Sequence, residues 1–168
     1  MINKISSKES SLFKYAKKLI SKSNFRKREK KFIVEGFREI QHCKNSDFKI
    51  DQIFVLEDKL QSLIINDLKI NLITRELIEQ IIYRESEGIF AIVNYKPSKI
   101  SDLKIEKDDF FLVLQSPEKP GNIGAIMRTF EACGFKNIII SDSQTEVYNP
   151  NTIRASLGSI FSLNIFQL

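Results

Sequence analysis

The sequence has two cysteines, one histidine, four prolines and six glycines in 168 residues. Each scarcity excludes a class of protein. Cys43 and Cys133 lie 90 positions apart and form no CxxC pair. With His42 as the only histidine, the chain has no ligand set for structural zinc, so no metal is expected. Imidazole acid–base chemistry would rest on His42 alone, which reads as a surface or packing residue. No stretch approaches 18 apolar residues, so no helix of bilayer length is expected. The segment MINKISSKESSLFKYAKKLI has no apolar core of a secretory signal, and the expected location is the cytoplasm. GxxxxGK[ST], GxGxxG, HExxH and GxSxG are all missing, which removes the common nucleotide-loop, zinc-protease and hydrolase readings.

What is present is charge, unevenly placed. The net charge of +5 comes from 26 cations and 21 acids. Residues 1–31 hold 11 Lys and Arg against Glu9 and Glu29, a local +9. The other 137 residues hold 15 cations against 19 acids, a local −4. The densest run, Arg26-Lys27-Arg28-Glu29-Lys30-Lys31, reads as a phosphate-binding patch, the alternative being a solvated helix face. Few aromatics accompany it, so no base-stacking platform is identified there. The stripe Leu12-Phe13-Ala16-Leu19-Ile20 before it has helical spacing and is expected to pack on its own domain.

Strand-like and helix-like segments alternate along the chain. Ser10-Ser11 can cap a helix over about 11–22, with Asn24 ending it and a short basic helix following. Strands are expected at 32–34, 50–56, 70–73 and 88–93, with helices at 36–43, 59–66 and 75–82. Residues 94–109 turn polar and read as a linker. A strand at 110–114, a helix at 122–133 with Gly134 at its C′ position, and a strand at 137–140 make one parallel crossover unit. A Pro-started helix at 150–156 and a strand at 163–166 follow. The fold class is α/β. The domains are read as 1–96, a linker at 97–109, and 110–168.

The segment that carries chemistry joins strand to helix: Lys119-Pro120-Gly121-Asn122-Ile123-Gly124-Ala125-Ile126-Met127-Arg128. Gly121 and Gly124 permit close approach of a ligand or another chain. Asn122 can cap the helix, and Arg128 is a long cation beside an apolar face.

Together with Ala132-Cys133-Gly134-Phe135, this segment resembles the first signature motif of the SpoU (TrmH-type) RNA 2′-O-ribose methyltransferases. Tyr148 to Phe161 is similar to the helix and strand that follow in that family. Phe32 to Gly36 and Glu87 to Val93 look like the ends of its N-terminal substrate-binding domain, which is similar to small RNA-binding ribosomal proteins. The resemblance implies a ribosomal-protein-like α/β domain followed by an incomplete SPOUT-type knotted domain. It implies S-adenosylmethionine as cofactor, structured RNA (tRNA or rRNA) as partner, and a homodimer. It maps catalytic roles onto Asn122 and Arg128. Arg26, Lys27, Arg28, Lys30, Lys31, Arg154 and Ser156 are candidates to face RNA, although a plain helix with a cap-like serine explains the last two nearly as well. Cofactor-binding residues are expected beyond Leu168, so this chain alone is expected to lack methyl transfer. The alternative reading is a non-catalytic RNA-binding module.

Overall fold

The computed structural model describes residues 2–62, 68–83, 87–96 and 100–168. Its contacts divide the chain into two units, Met1–Tyr95 and Lys96–Leu168.

The first unit contains β1 (Ile2–Ile5), α1 (Ser11–Ser21), α2 (Ser23–Glu29), β2 (Lys31–Glu35), α3 (Phe37–Asn45), β3 (Ile50–Val55), β4 (Lys69–Ile73), α4 (Arg75–Ile78) and β5 (Ile89–Asn94). Its five-stranded sheet has the order β1-β4-β3-β5-β2. β1, β4 and β3 run parallel, and β5 is antiparallel to both β3 and β2. Residues 89–93 of β5 are all buried, as a strand covered on both faces requires. Phe54 and Phe90 stack at 4.5 Å between ring centroids across β3 and β5. On one face, Phe13, Ala16 and Leu19 of α1 pack with Leu77, Ile78, Ile81 and Ile82 against the sheet. Each such buried aliphatic or aromatic side chain contributes about 1.5–3 kcal/mol. The α1 stripe thus serves its own domain.

Several local expectations are corrected. The strand β1 has no counterpart among the expected strands. Its four residues carry little pattern, and it is held by pairing with β4 from Ile2↔Ile70 to Ile5↔Ile73. Ser10 makes no side-chain cap bond to α1. The break between α1 and α2 falls at Lys22, which is extended, and Asn24 lies inside α2. The expected helix at 59–66 is a 3-10 segment over Glu57–Ser62, and residues 63–66 fall outside the described residues. The helix expected at 75–82 is helical over Arg75–Ile78 and continues as turns.

The second unit contains a 3-10 turn (Ile100–Asp102), β6 (Phe111–Gln115), α5 (Pro120–Ala132), β7 (Asn137–Ser141), α6 (Pro150–Ser156) and β8 (Asn164–Gln167). The sheet order is β6-β7-β8 and every pair is parallel. Successive crossovers in one direction, of the single hand that parallel strands favour, lay α5 and α6 on one face of the sheet. The other face stays open at β6, where Val113 is 59% exposed.

α5 starts cleanly because Pro120 occupies its first turn. Lys119 is the N-cap, with no side-chain cap bond. Asn122 is therefore not the cap and sits at the third helical position, where its side chain is exposed. The helix ends in a Schellman motif, with Gly134 at φ +86°. Gly134 N–H donates to Glu131 O at 2.8 Å, and Phe135 N–H to Phe130 O at 3.3 Å. α6 is capped by Asn149, whose side chain accepts from Asn151 N–H at 2.9 Å. It ends at Leu157, also left-handed.

Candidate functional site

In a parallel α/β sheet, ligands gather where strands end and helices begin. In the second unit, that edge is shaped by two loops. Ser116 after β6 and Asp142 after β7 are both left-handed, with φ of 48° and 50°. Non-glycine residues held there store strain that surrounding bonds must hold in place. Ser116 N–H donates to Ser141 O at 2.8 Å and locks the two strand ends together. From the β7–α6 loop, the Ser143 hydroxyl reaches Pro117 O at 3.4 Å and the Thr145 hydroxyl donates to Glu118 O. Both acceptors lie in the turn that launches α5. The start of α5 is thus pinned by a neighbouring loop rather than by its own cap.

α5 buries Ile123, Gly124 and Met127 and leaves Asn122, Ala125 and Arg128 exposed. Arg128 lies six residues beyond Asn122, about 9 Å along the axis. It has no hydrogen-bond or ion-pair partner among the described residues, Glu118 and Glu131 included. Its five donors are open to solvent. Gly124 sits where α5 meets α6: a Cβ there would lie 2.5 Å from Thr152 O and 2.6 Å from Ala155 Cβ. The close approach read from this glycine is thus helix against helix. Gly121 has open space around it.

Two candidates for facing RNA turn inward. Ser156 is fully buried, and its hydroxyl donates to Ile153 O at 2.7 Å within α6. Arg26 is 3% exposed, and its Nη1 donates to Leu19 O at 2.7 Å and Ile20 O at 3.2 Å. It caps the carbonyl end of α1 and ties α2 to it, which is a structural role. Arg154 is half-buried and donates to Asn151 Oδ1 at 3.0 Å.

The rest of the basic run divides by environment. Lys31 pairs with Asp51 at 2.8 Å. Arg28 pairs with Glu29 at 3.0 Å, and its guanidinium lies 4.9 Å from the centre of the Phe25 ring. Lys18 of α1 approaches the same ring at 5.8 Å. Tyr15 meets Phe25 edge-on at 5.3 Å, and its hydroxyl donates to Glu29 at 3.1 Å. Burial and the Glu29 carboxylate push the Tyr15 phenol up to about 12. The bond from Arg28, then that from Tyr15, holds the Glu29 carboxyl below its usual range. Lys27 and Lys30 are exposed, with no side-chain partner among the described residues. Charge pattern alone misses Phe25 and Tyr15, which bring α1 and α2 to one cationic surface. Phe25 beside the basic run is the signal that could have found them.

His42 is exposed on α3, and no group of three or more His, Cys, Asp or Glu suited to a metal occurs among the described residues. No described helix is long and apolar enough to cross a membrane.

Comparison with known proteins agrees with this division. Residues 109–168 match the SpoU rRNA Methylase family, and residues 11–91 match the MRM3-like substrate binding domain. The chain is 32% identical over 75 residues to a 23S rRNA (uridine(2479)-2'-O)-methyltransferase of Streptomyces viridochromogenes, covering 45% of this chain and 26% of that one. It is 22% identical over 137 residues to the 23S rRNA (guanosine(2553)-2'-O)-methyltransferase RlmP of Bacillus subtilis, covering 81% and 54% respectively. Among solved structures, an AdoMet-bound rRNA methyltransferase from Sinorhizobium meliloti superposes with a TM-score of 0.87 at 21% identity, covering 99% of this chain and 64% of that one. The chain thus spans between about a quarter and two thirds of the length of these relatives.

Proposed function

We propose that the chain is a portion of an RNA 2′-O-methyltransferase of the SpoU type: residues 109–168 match the SpoU rRNA Methylase family and residues 11–91 match the MRM3-like substrate binding domain. In this reading the first unit selects structured RNA, rRNA or tRNA, and the second carries the ribose-facing helix. The observation that carries the proposal is Arg128: an exposed guanidinium without a partner among the described residues, on a helix whose opposite face is buried.

S-adenosylmethionine would supply a methyl group already activated on a sulfonium, so orientation of the ribose is what remains for the protein. No residue of this chain is assigned to that cofactor. The large cleft of the second unit opens at the far edge of the sheet from Asn122. Arg128 would grip the target phosphate with its bidentate fork and polarise the adjoining 2′-hydroxyl. A guanidinium holds its protons too firmly to act as a free base. Asn122, exposed at the start of the same helix, would orient the ribose. Lys27, Lys30 and Arg28 would hold the phosphate backbone, with attraction that weakens as salt rises. Assembly as a homodimer in the cytoplasm belongs to the same proposal, and light scattering of the purified protein tests the dimer.

The experiment is transfer of labelled methyl from S-adenosylmethionine to RNA by the protein that contains these 168 residues. Arg128→Ala is expected to abolish transfer, to lower RNA affinity by no more than the loss of one phosphate contact, and to leave the thermal midpoint unchanged. Retained turnover would refute the role. RNA binding without any transfer by the parent protein would favour a non-catalytic RNA-binding module.

A further inference from the structure

The carbonyl end of α5 builds a second feature. The left-handed turn at Gly134 folds Phe135 back onto Phe130, with ring centroids 5.2 Å apart. Phe110, just before β6, leans on Phe135 with centroids 4.9 Å apart and the rings tilted by 41°. The three rings form a row. Its last member, Phe110, is 64% exposed. A lone exposed aromatic is ordinary. This one is held by two rings behind it and lines a cleft of about 580 Å³.

The rest of the cleft is polar. Lys104 and Lys136 stand at it, with Asp109, Asn137 and Asn164 at the amino-terminal edge of the sheet. Asn164 Nδ2 donates to Asn137 Oδ1 at 2.9 Å, and Asp109 Oδ2 accepts from Glu106 N–H at 2.8 Å. Asn137 Nδ2 in turn donates to Asp109 Oδ1 at 3.4 Å. These bonds fix the amides and the carboxylate and leave Asn164 Oδ1, with the second lone pair of Asp109 Oδ1, as acceptors. Glu106 and Asp108 also line the cleft, so carboxylates outnumber cations there. That balance disfavours a run of phosphates.

We propose that this cleft is a stacking site for a single unpaired RNA base that bears an amino group. The proposal rests on the RNA reading above and adds a contact at the opposite end of α5 from Asn122, which is ten residues from Ala132 and about 15 Å along the axis. The base lies on the free face of Phe110. Its amino group donates to Asp109 or Asn164. One flanking phosphate meets Lys104 or Lys136. Adenine and cytosine supply such a donor, whereas uracil presents carbonyl oxygens. Stacking on one aromatic ring weakens about 5- to 100-fold when the ring is removed, and the preset rings reduce the entropy lost on binding.

The test is an NMR titration of the 168-residue chain with the trinucleotides AAA and UUU at low salt. AAA is expected to shift the amides of residues 134–137 and 110, with UUU at least about fivefold weaker. Phe110→Ala is expected to weaken the AAA effect by about 5- to 100-fold. Phe110→Leu, which keeps the apolar volume, is expected to lose most of it too. Unchanged amides of α6 in the second unit, away from the cleft, report that both variants are folded. Salt-dependent shifts confined to α1 and α2, with a silent cleft, would overturn the stacking site while leaving the RNA reading intact. Equal response to AAA and UUU would overturn it as well.

Discussion

Gly124 of α5 and Thr152 of α6 meet at the backbone, so that a Cβ at 124 would stand 2.5 Å from the Thr152 carbonyl oxygen. Alanine normally improves a helix over glycine by about 1 kcal/mol. Here it has to push α5 and α6 away from each other. Gly124→Ala is expected to lower stability by about 1–3 kcal/mol in urea unfolding. Gly121→Ala, in open space on the same helix, is expected to be neutral or stabilising by up to about 1 kcal/mol. A harmless Gly124→Ala would mean that the α5–α6 contact is looser than described.

The Thr152 side chain sits at the same contact. It is fully buried, and its hydroxyl has no hydrogen-bond partner among the described residues. Valine keeps the shape and removes the unmet polar group. Thr152→Val is therefore expected to hold stability or raise it by about 1 kcal/mol. A thermal midpoint lowered by several degrees would show that the hydroxyl has a partner in solution.

The basic run separates into residues that hold the fold and residues that face water. Arg26→Met leaves the carbonyls of Leu19 and Ile20 without their donor and is expected to cost about 1–3 kcal/mol. Lys30 is left-handed, at φ 50°, where a side chain is strained. Lys30→Gly relieves about 1 kcal/mol and is expected to raise stability while weakening RNA binding. The Lys27→Ala, Lys30→Ala double variant is expected to flatten the dependence of log affinity on log salt by roughly 0.7–0.9 per cation. Measuring denaturation and salt titration on the same variants distinguishes the two groups.

The two cysteines are expected to respond differently to pH. Cys43 is buried in α3, and burial pushes its thiol up to about 12. Its unfolded value is near 8.5. Below about pH 8.5 both states hold the proton, and stability does not change on this account. Above that the unfolded chain ionises first, so stability falls as pH rises toward about 12. Cys43→Ala is expected to show a shallower loss of urea midpoint between about pH 8.5 and 10. Cys133 is exposed. A thiol reagent at about pH 8 is expected to label Cys133 alone in the native chain and both cysteines in urea.

The alternation of strands and helices is legible because β5, β6 and β7 are largely apolar runs and β3 ends in the apolar Ile53-Phe54-Val55, and local pattern suffices for those. β1 is not, because Ile2–Ile5 is held by the distant strand at Ile70–Ile73 and shows no period of its own. The motif helix lies where its sequence places it, but its cap does not. Proline at its first position, rather than the short polar side chain of Asn122, marks the start. Arg26 and Ser156 have the chemistry of surface residues. Burial is a property of packing, and both satisfy backbone carbonyls that no linear pattern reveals. The aromatic row at Phe130, Phe135 and Phe110 depends on one left-handed glycine, and Gly134 is the feature of it visible in the sequence.

The order of strands in the first sheet also sets a timetable. β2 has one partner, β5, beginning at Lys31↔Asn94. The ribosome delivers β2 and then has to make about 60 more residues before that partner exists. At about 5–20 residues per second, that is a delay of roughly 3–12 s. During it β2 has α1, α2 and α3 for company but no ladder. β1 faces a similar wait for β4. β1, β4 and β3 can therefore pair before β5 is made, and β2 is the strand that depends longest on whatever shelters a nascent chain.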